Sequence, residues 1–68
     1  MSDEPRIALD SQMSEVAREI ETRKRVYGRL VREKKMNPRQ ADAQIRRMQA
    51  VLQTLQMVAA GKDLFDVR

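Results

Sequence analysis

The side chains that could do chemistry in this 68-residue chain are carboxylates, lysines, arginines and one tyrosine, because it contains neither cysteine nor histidine. Two carboxylate pairs lie close in sequence, Glu15 with Glu19 and Asp63 with Asp66. Acid–base or nucleophilic catalysis needs an activating neighbour, and neither these pairs nor Tyr27 nor any lysine has an evident one. Solvated acids on a helix or tail are the favoured interpretation, so we expect no catalytic residues and no enzymatic activity.

Metal and cofactor sites are not indicated either. The usual ligands of structural zinc are missing along with cysteine and histidine. The only glycines are Gly28 and Gly61, which are too far apart to form a phosphate-binding loop. We therefore expect no metal and no cofactor.

The most distinctive local feature is a basic block, RKRVYGRLVREKK, over residues 23–35. Residues 1–22 carry six acids against two bases, a net charge of −4, whereas residues 23–47 carry ten bases against two acids, a net charge of +8. A segregated charge distribution of this kind indicates what the protein binds and does not indicate its fold. The block predicts a partner-binding site made of Arg25, Tyr27, Arg29 and Arg32.

Three interpretations of the basic block stay open. It binds nucleic acid through phosphate contacts with Tyr27 stacking on a base, it is a solvated helix face, or it pairs with the acidic N-terminal third of another subunit. The spacing fits no groove-reading module, and the chain has only two aromatic residues. In an antiparallel subunit arrangement the acidic third of one copy would face the basic residues of the other.

Two long amphipathic helices must position these residues. Ser11 is a suitable N-cap for a first helix over about residues 11–35, and residues 1–10 form a flexible arm before it. In the first helix the apolar positions follow a spacing of three and four, with Arg23 in the slot between Ile20 and Tyr27: Met13, Val16, Ile20, Tyr27 and Leu30. In the second, over about residues 38–60, the series is unbroken: Ala41, Ile45, Met48, Leu52, Leu55 and Ala59.

The signals at the turn and at the end of the second helix are specific. Asn37 is a preferred N-cap, and Pro38 suits the first helical position because its missing amide costs no hydrogen bond there. Gly61 stands where a left-handed residue ends a helix, and residues 62–68 form a tail beyond it. The glycine inside the first helix, Gly28, has three interpretations: neutral drift, close approach of a second backbone, or a slight bend.

An all-α hairpin over residues 11–61 would leave apolar surface uncovered. Five further apolar residues widen the seams beyond what one partner helix covers: Val26, Val31, Val51, Met57 and Val58. Exposed apolar surface of this kind normally contacts a partner, and a chain this short needs one for stability. We expect a homodimer that forms a four-helix bundle, with an interface drawn from Ile20, Leu30, Ile45, Met48, Leu52 and Leu55.

The composition also bears on location. No apolar run approaches the roughly 20 residues of a membrane span, and the N-terminus is acidic where a signal peptide would be basic and then apolar. The absence of cysteine is compatible with a reducing compartment. We expect a cytoplasmic protein that does not bind a membrane.

Residues 19–55 resemble a family of short uncharacterised proteins encoded by tailed phages and prophages. The resembling elements are Val26-Tyr27 before Arg29-Leu30-Val31, Lys35-Met36 at the turn, Ala41, Ile45 and the run over residues 48–52. Gly28 stands where the family favours proline. The resemblance implies a context, because small phage proteins outside the virion genes often bind a host protein and block it, as anti-defence and anti-activator factors do.

The leading hypothesis is accordingly a phage-derived, homodimeric protein of the bacterial cytoplasm that binds and inhibits a host protein. Two alternatives are a nucleic-acid-binding accessory protein that uses the basic block and a structural coiled-coil adaptor within a phage particle.

Overall fold

The computed structural model describes residues 7–61, and every regular element in that range is an α-helix. Helix α1 spans Leu9–Arg32 and has 24 residues, and helix α2 spans Pro38–Ala59 and has 22. The predicted all-α class with two helices is confirmed. Neither helix combines the length and the apolar character needed to cross a membrane. The predicted tail and residues 1–6 of the predicted arm lie outside the described residues.

The predicted start of the first helix at Ser11 is wrong, because α1 begins at Leu9. Its N-cap is Ala8, which provides no side-chain cap, so residues 9 and 10 belong to the helix and not to the arm. Two hydrogen bonds from Gln12 support this first turn: its backbone N–H donates to the Ala8 carbonyl at 3.0 Å, and its side-chain amide donates to the Ile7 carbonyl at 2.9 Å. They extend the helix backwards without a hydroxyl cap.

Helix α1 ends at Arg32, three residues earlier than predicted, because the chain reverses through a left-handed residue at Lys34, whose φ is 61°. The Lys35 N–H donates to the Leu30 carbonyl at 2.8 Å, and the Lys34 N–H donates to the Val31 carbonyl at 3.0 Å. This pair of bonds is the Schellman motif, in which glycine is the usual left-handed residue. Here a lysine adopts that conformation.

The predicted signals around α2 are confirmed. Asn37 is the N-cap, and its side-chain oxygen accepts from the Arg39 N–H at 2.7 Å, with Pro38 in the first turn. At the other end Gly61 has φ +76°, and its N–H donates to the Val58 carbonyl at 3.0 Å. Both ends of α2 are therefore determined by residues next to them in the chain.

The two helices pack side by side and run in opposite directions. A groove of about 500 Å³ shows the direction, because residues around the start of α1 line it together with Val51 and Leu55 from the later part of α2. Only two apolar residues in the described range are buried, Ile20 at 4% exposure and Ala41 at 8%. The other residues of the predicted seams are half-buried or exposed, so the hairpin has a thin core.

We expect Lys34→Gly to raise the free energy of unfolding by about 1 kcal/mol, because glycine adopts the left-handed conformation without the steric cost of a Cβ atom. Urea denaturation followed by circular dichroism measures the difference. Lys34→Ala is the matched control, since it removes the same charge and keeps the Cβ. Equal stability of the two variants would contradict this explanation of the turn.

We expect Gly28→Ala to stabilise the protein by about 0.5–1 kcal/mol, because alanine has the higher helix propensity. A Cβ atom at Gly28 would meet only the end of the Arg32 side chain, at 3.6 Å, so among residues 7–61 no second backbone approaches there. Thermal denaturation of the two proteins at equal concentration measures the change. A destabilised variant would indicate instead that a second subunit packs closely against Gly28.

Candidate functional site

Three of the four predicted partner-binding residues form a row on the outer face of α1. Arg25, Arg29 and Arg32 follow the spacing that places side chains along one face of a helix. At about 100° of rotation per residue, they lie roughly 120–180° from Ile20, the buried residue that faces α2. All three are exposed, and we call them the arginine row.

The ion pairs of the described residues are all local. Each one joins residues two to four positions apart: Glu15–Arg18, Glu19–Arg23, Glu21–Lys24, Glu33–Lys35 and Asp42–Arg46. None connects α1 to α2, and exposed pairs of this kind contribute little stability. Within residues 7–61, six exposed bases have no ion pair: Arg25, Arg29, Arg32, Lys34, Arg39 and Arg47.

Arg23, the charge predicted to interrupt the apolar seam, finds its partner within its own helix. Its Nε donates to a Glu19 carboxylate oxygen at 3.3 Å, one turn earlier. The hydrogen bond with Glu19, followed by the influence of neighbouring Tyr27, raises the pKa of Arg23 above its usual value. The guanidinium is therefore paired, at the edge of the seam, with a carboxylate of the same helix.

Tyr27, the fourth predicted partner-binding residue, does not lie with the arginines. It is half-buried and belongs to the face of α1 that packs towards α2, close in angle to Ile20. Roughly 140–160° of rotation separates it from each residue of the arginine row. The hairpin therefore does not bring together the phosphate-binding guanidinium groups and the stacking ring that the nucleic-acid interpretation combined.

The second surface occupies one broad side of the hairpin and is mainly apolar, with the Glu19–Arg23 ion pair in the same angular range of α1. On α1, Val26 and Leu30 lie roughly 80–120° to one side of Ile20, and on α2, Val51 and Val58 lie roughly 80–100° to one side of Ala41. Because α2 runs opposite to α1, these two flanks face the same way. We call this surface the open side. Its groove is lined by Val16 of α1 and Leu55 of α2 and also by the polar residues Ser11, Gln12 and Glu15.

The open side is exposed at its centre and at its end. Val51 is 48% exposed and Val58 is 43% exposed, while Ile7, at 64%, stands at the rim of the groove. A second concavity, next to the groove, is lined by Ala50, Val51, Thr54 and Leu55. These are positions where a partner could bury apolar area.

The six residues predicted to form a dimer interface divide between two places. Ile20 is buried between the helices, and Ile45, Met48 and Leu52 are half-buried on the α2 face that packs against α1. Leu30 and Leu55 instead lie at the edge of the open side. The six predicted residues do not include Val51 and Val58, which sequence reasoning named only as apolar residues that widen the seams; each directly precedes a seam residue.

Among residues 7–61 no group of carboxylates is placed to hold a metal ion. Comparison of the chain with protein-family models, with curated proteins and with solved structures found no match. The arginine row and the open side are therefore the features from which a function is to be inferred.

We expect simultaneous replacement of the arginine row by glutamine to leave the hairpin folded, because these side chains are exposed and have no ion pair within the described range. Ile20→Ala, in contrast, should lower the free energy of unfolding by about 2–5 kcal/mol, because it empties the centre of the seam. Helical circular dichroism and urea denaturation compare the two variants. Unfolding of the glutamine variant would show that the row is structural.

Proposed function

We propose that this chain is a non-enzymatic interaction protein of phage origin, which acts as a homodimer in the bacterial cytoplasm and binds and inhibits a host protein. The observation that carries the proposal is the uncovered open side. Its valines Val51 and Val58 remain 48% and 43% exposed, while only Ile20 and Ala41 are buried in the described range. A protein with so little buried surface gains stability by covering such a side with a partner.

A second copy is the partner that is present wherever the chain is made. Two hairpins that cover each other's open sides form a four-helix bundle, in which helices pack around a shared apolar core. Two-fold symmetry is the usual arrangement of such dimers. The bundle supplies the second layer that a single hairpin lacks.

The arginine row supports a role in binding another macromolecule. Its members lie roughly 100–160° around α1 from Leu30 and roughly 60–120° from Val26, so a dimer formed through the open side leaves Arg25 and Arg32 exposed and has Arg29 at its rim. Arginine is enriched among residues that dominate protein–protein binding, because its planar guanidinium forms paired hydrogen bonds with carboxylates. The resemblance to phage proteins favours a host protein as the target and inhibition as the effect.

Nucleic acid is the second candidate partner, favoured by the six exposed bases that lack an ion pair in residues 7–61. Phosphate contacts need no aromatic residue, so the position of Tyr27 does not oppose it. Binding of this kind weakens steeply with salt because counterions are released from the phosphates. This salt dependence separates it from recognition of a protein with an apolar component.

Affinity purification of the tagged chain from bacterial cells, with quantitative mass spectrometry, tests the proposal. We expect the wild type to enrich a host protein that the glutamine variant of the arginine row fails to retain, since the variant keeps the fold and loses the contact. The activity of that host protein, measured with the purified components, should fall in the presence of the wild type alone. Light scattering during size-exclusion chromatography should give the mass of a dimer.

Four outcomes would contradict the proposal. A folded monomer at micromolar concentration would remove the homodimer, and recovery of the same proteins by wild type and variant would remove the role of the row. The third outcome comes from fluorescence anisotropy with duplex and single-stranded oligonucleotides, measured at about 50 and about 200 mM salt. Tight binding that falls steeply with salt and vanishes in the glutamine variant would favour the nucleic-acid function. Copurification with virions would favour the structural adaptor.

A further inference from the structure

The homodimer proposed above leaves two questions, which surface the copies share and in which relative direction they run. The open side answers the first. It spans both helices, combines apolar residues with the Glu19–Arg23 ion pair of α1, and has the area that a stable interface needs. A hairpin face of about 36 Å by about 20 Å, from the rise per residue and the diameter of two helices, offers roughly 700 Å² per copy. Two such faces bury roughly 1,400 Å², which lies within the usual range for specific complexes.

The distribution of charge along the hairpin answers the second question. Near the free end of the hairpin, residues 7–22 carry four carboxylates against Arg18, a net charge of −3. Around the turn, residues 23–47 carry a net charge of +8, and residues 48–61 carry no charged side chain. The turn folds the basic parts of α1 and α2 onto each other, so the charge lies at one end of the molecule.

Packed helices lie about 8–10 Å apart, which is comparable to the Debye length of about 10 Å at 0.1 M salt. Copies running in the same direction would place the two basic ends within this distance and repel each other. Copies running in opposite directions place the acidic end of one beside the basic end of the other. Complementary charge therefore selects the second arrangement.

We infer that two copies meet through their open sides with their hairpins antiparallel, so that α1 lies opposite α1 and α2 opposite α2. The two-fold axis is then perpendicular to the helices. The arginine rows of both copies lie on the same flank of the bundle, because α1 of each copy is on that flank. The inference rests on the proposed homodimer and specifies its interface residues and direction.

Val51→Asp tests the surface, with Gln49→Asp as the matched control. Both positions are exposed on α2 and two residues apart, but roughly 160° of rotation places Gln49 away from the open side. Analytical ultracentrifugation should show that Val51→Asp raises the dimer dissociation constant about a hundredfold. The dimer contains two copies of the aspartate, and burying each one raises the dissociation constant about tenfold. Gln49→Asp should change it little. Helical circular dichroism confirms that both variants are folded.

A second measurement avoids a charged substitution. Because the chain has no cysteine, Val51→Cys and Gln49→Cys each introduce a single thiol. A maleimide should label Val51→Cys more slowly at protein concentrations above the dimer dissociation constant than at concentrations below it. Gln49→Cys should react at the same rate at all concentrations. Equal protection of the two thiols, or an unchanged dissociation constant in Val51→Asp, would overturn the proposed surface.

Salt tests the direction. Screening weakens attraction between the acidic and basic ends, so the dissociation constant of the wild-type dimer should rise several-fold from about 50 mM to about 500 mM sodium chloride. A dissociation constant that falls as the salt concentration rises would overturn the antiparallel arrangement and favour the parallel one. Both results presuppose a dimer, whereas a wild type that sediments as a folded monomer would refute the proposed function itself.

Discussion

Contact between two helices along a single narrow seam is the constraint on which the rest of this structure depends. Two cylinders side by side touch along one strip each, and here that strip buries only Ile20 and Ala41 in the described range. Every other apolar residue of the helices keeps part of its surface exposed to water. The hydrophobic stabilisation scales with the area removed from water, so such a hairpin has little of it per residue.

The reversal between α1 and α2 determines where the charges lie. Residues 23–32 and 39–47 are separated in the chain by the turn, and the antiparallel packing brings them to the same end of the hairpin. The acids near them are occupied by local pairs such as Glu33–Lys35 and Asp42–Arg46. These pairs do not join the helices, so the charge contributes little to the hairpin itself and is available for recognition.

Two surfaces with different chemistry result from this arrangement. The open side is mainly apolar and spans both helices, which suits a large and permanent contact. The arginine row lies on one helix and away from the seam, which suits polar contacts that fix the identity of a partner. Because the surfaces lie on different faces, occupation of one leaves the other accessible. The proposed homodimer would use the first surface, and the proposed host partner the second.

The sequence by itself determined the two helices, the N-cap at Asn37 and the left-handed residue at Gly61, because each depends on neighbours within one or two turns. The predicted ends of α1 were wrong. At the start, hydrogen bonds from the backbone and side chain of Gln12 take the place of a serine cap, and at the end Lys34 adopts a left-handed conformation that its side chain disfavours.

The tertiary structure alone decided which apolar residues are covered and which are left open. Val26 and Leu30 reach the same side as Val51 and Val58 only because α2 returns antiparallel to α1, and no spacing within one helix contains that information. For the same reason Tyr27 faces the seam while the arginine row faces outwards. Periodicity determines the angle between side chains on one helix, but packing determines which of those angles points to the other helix.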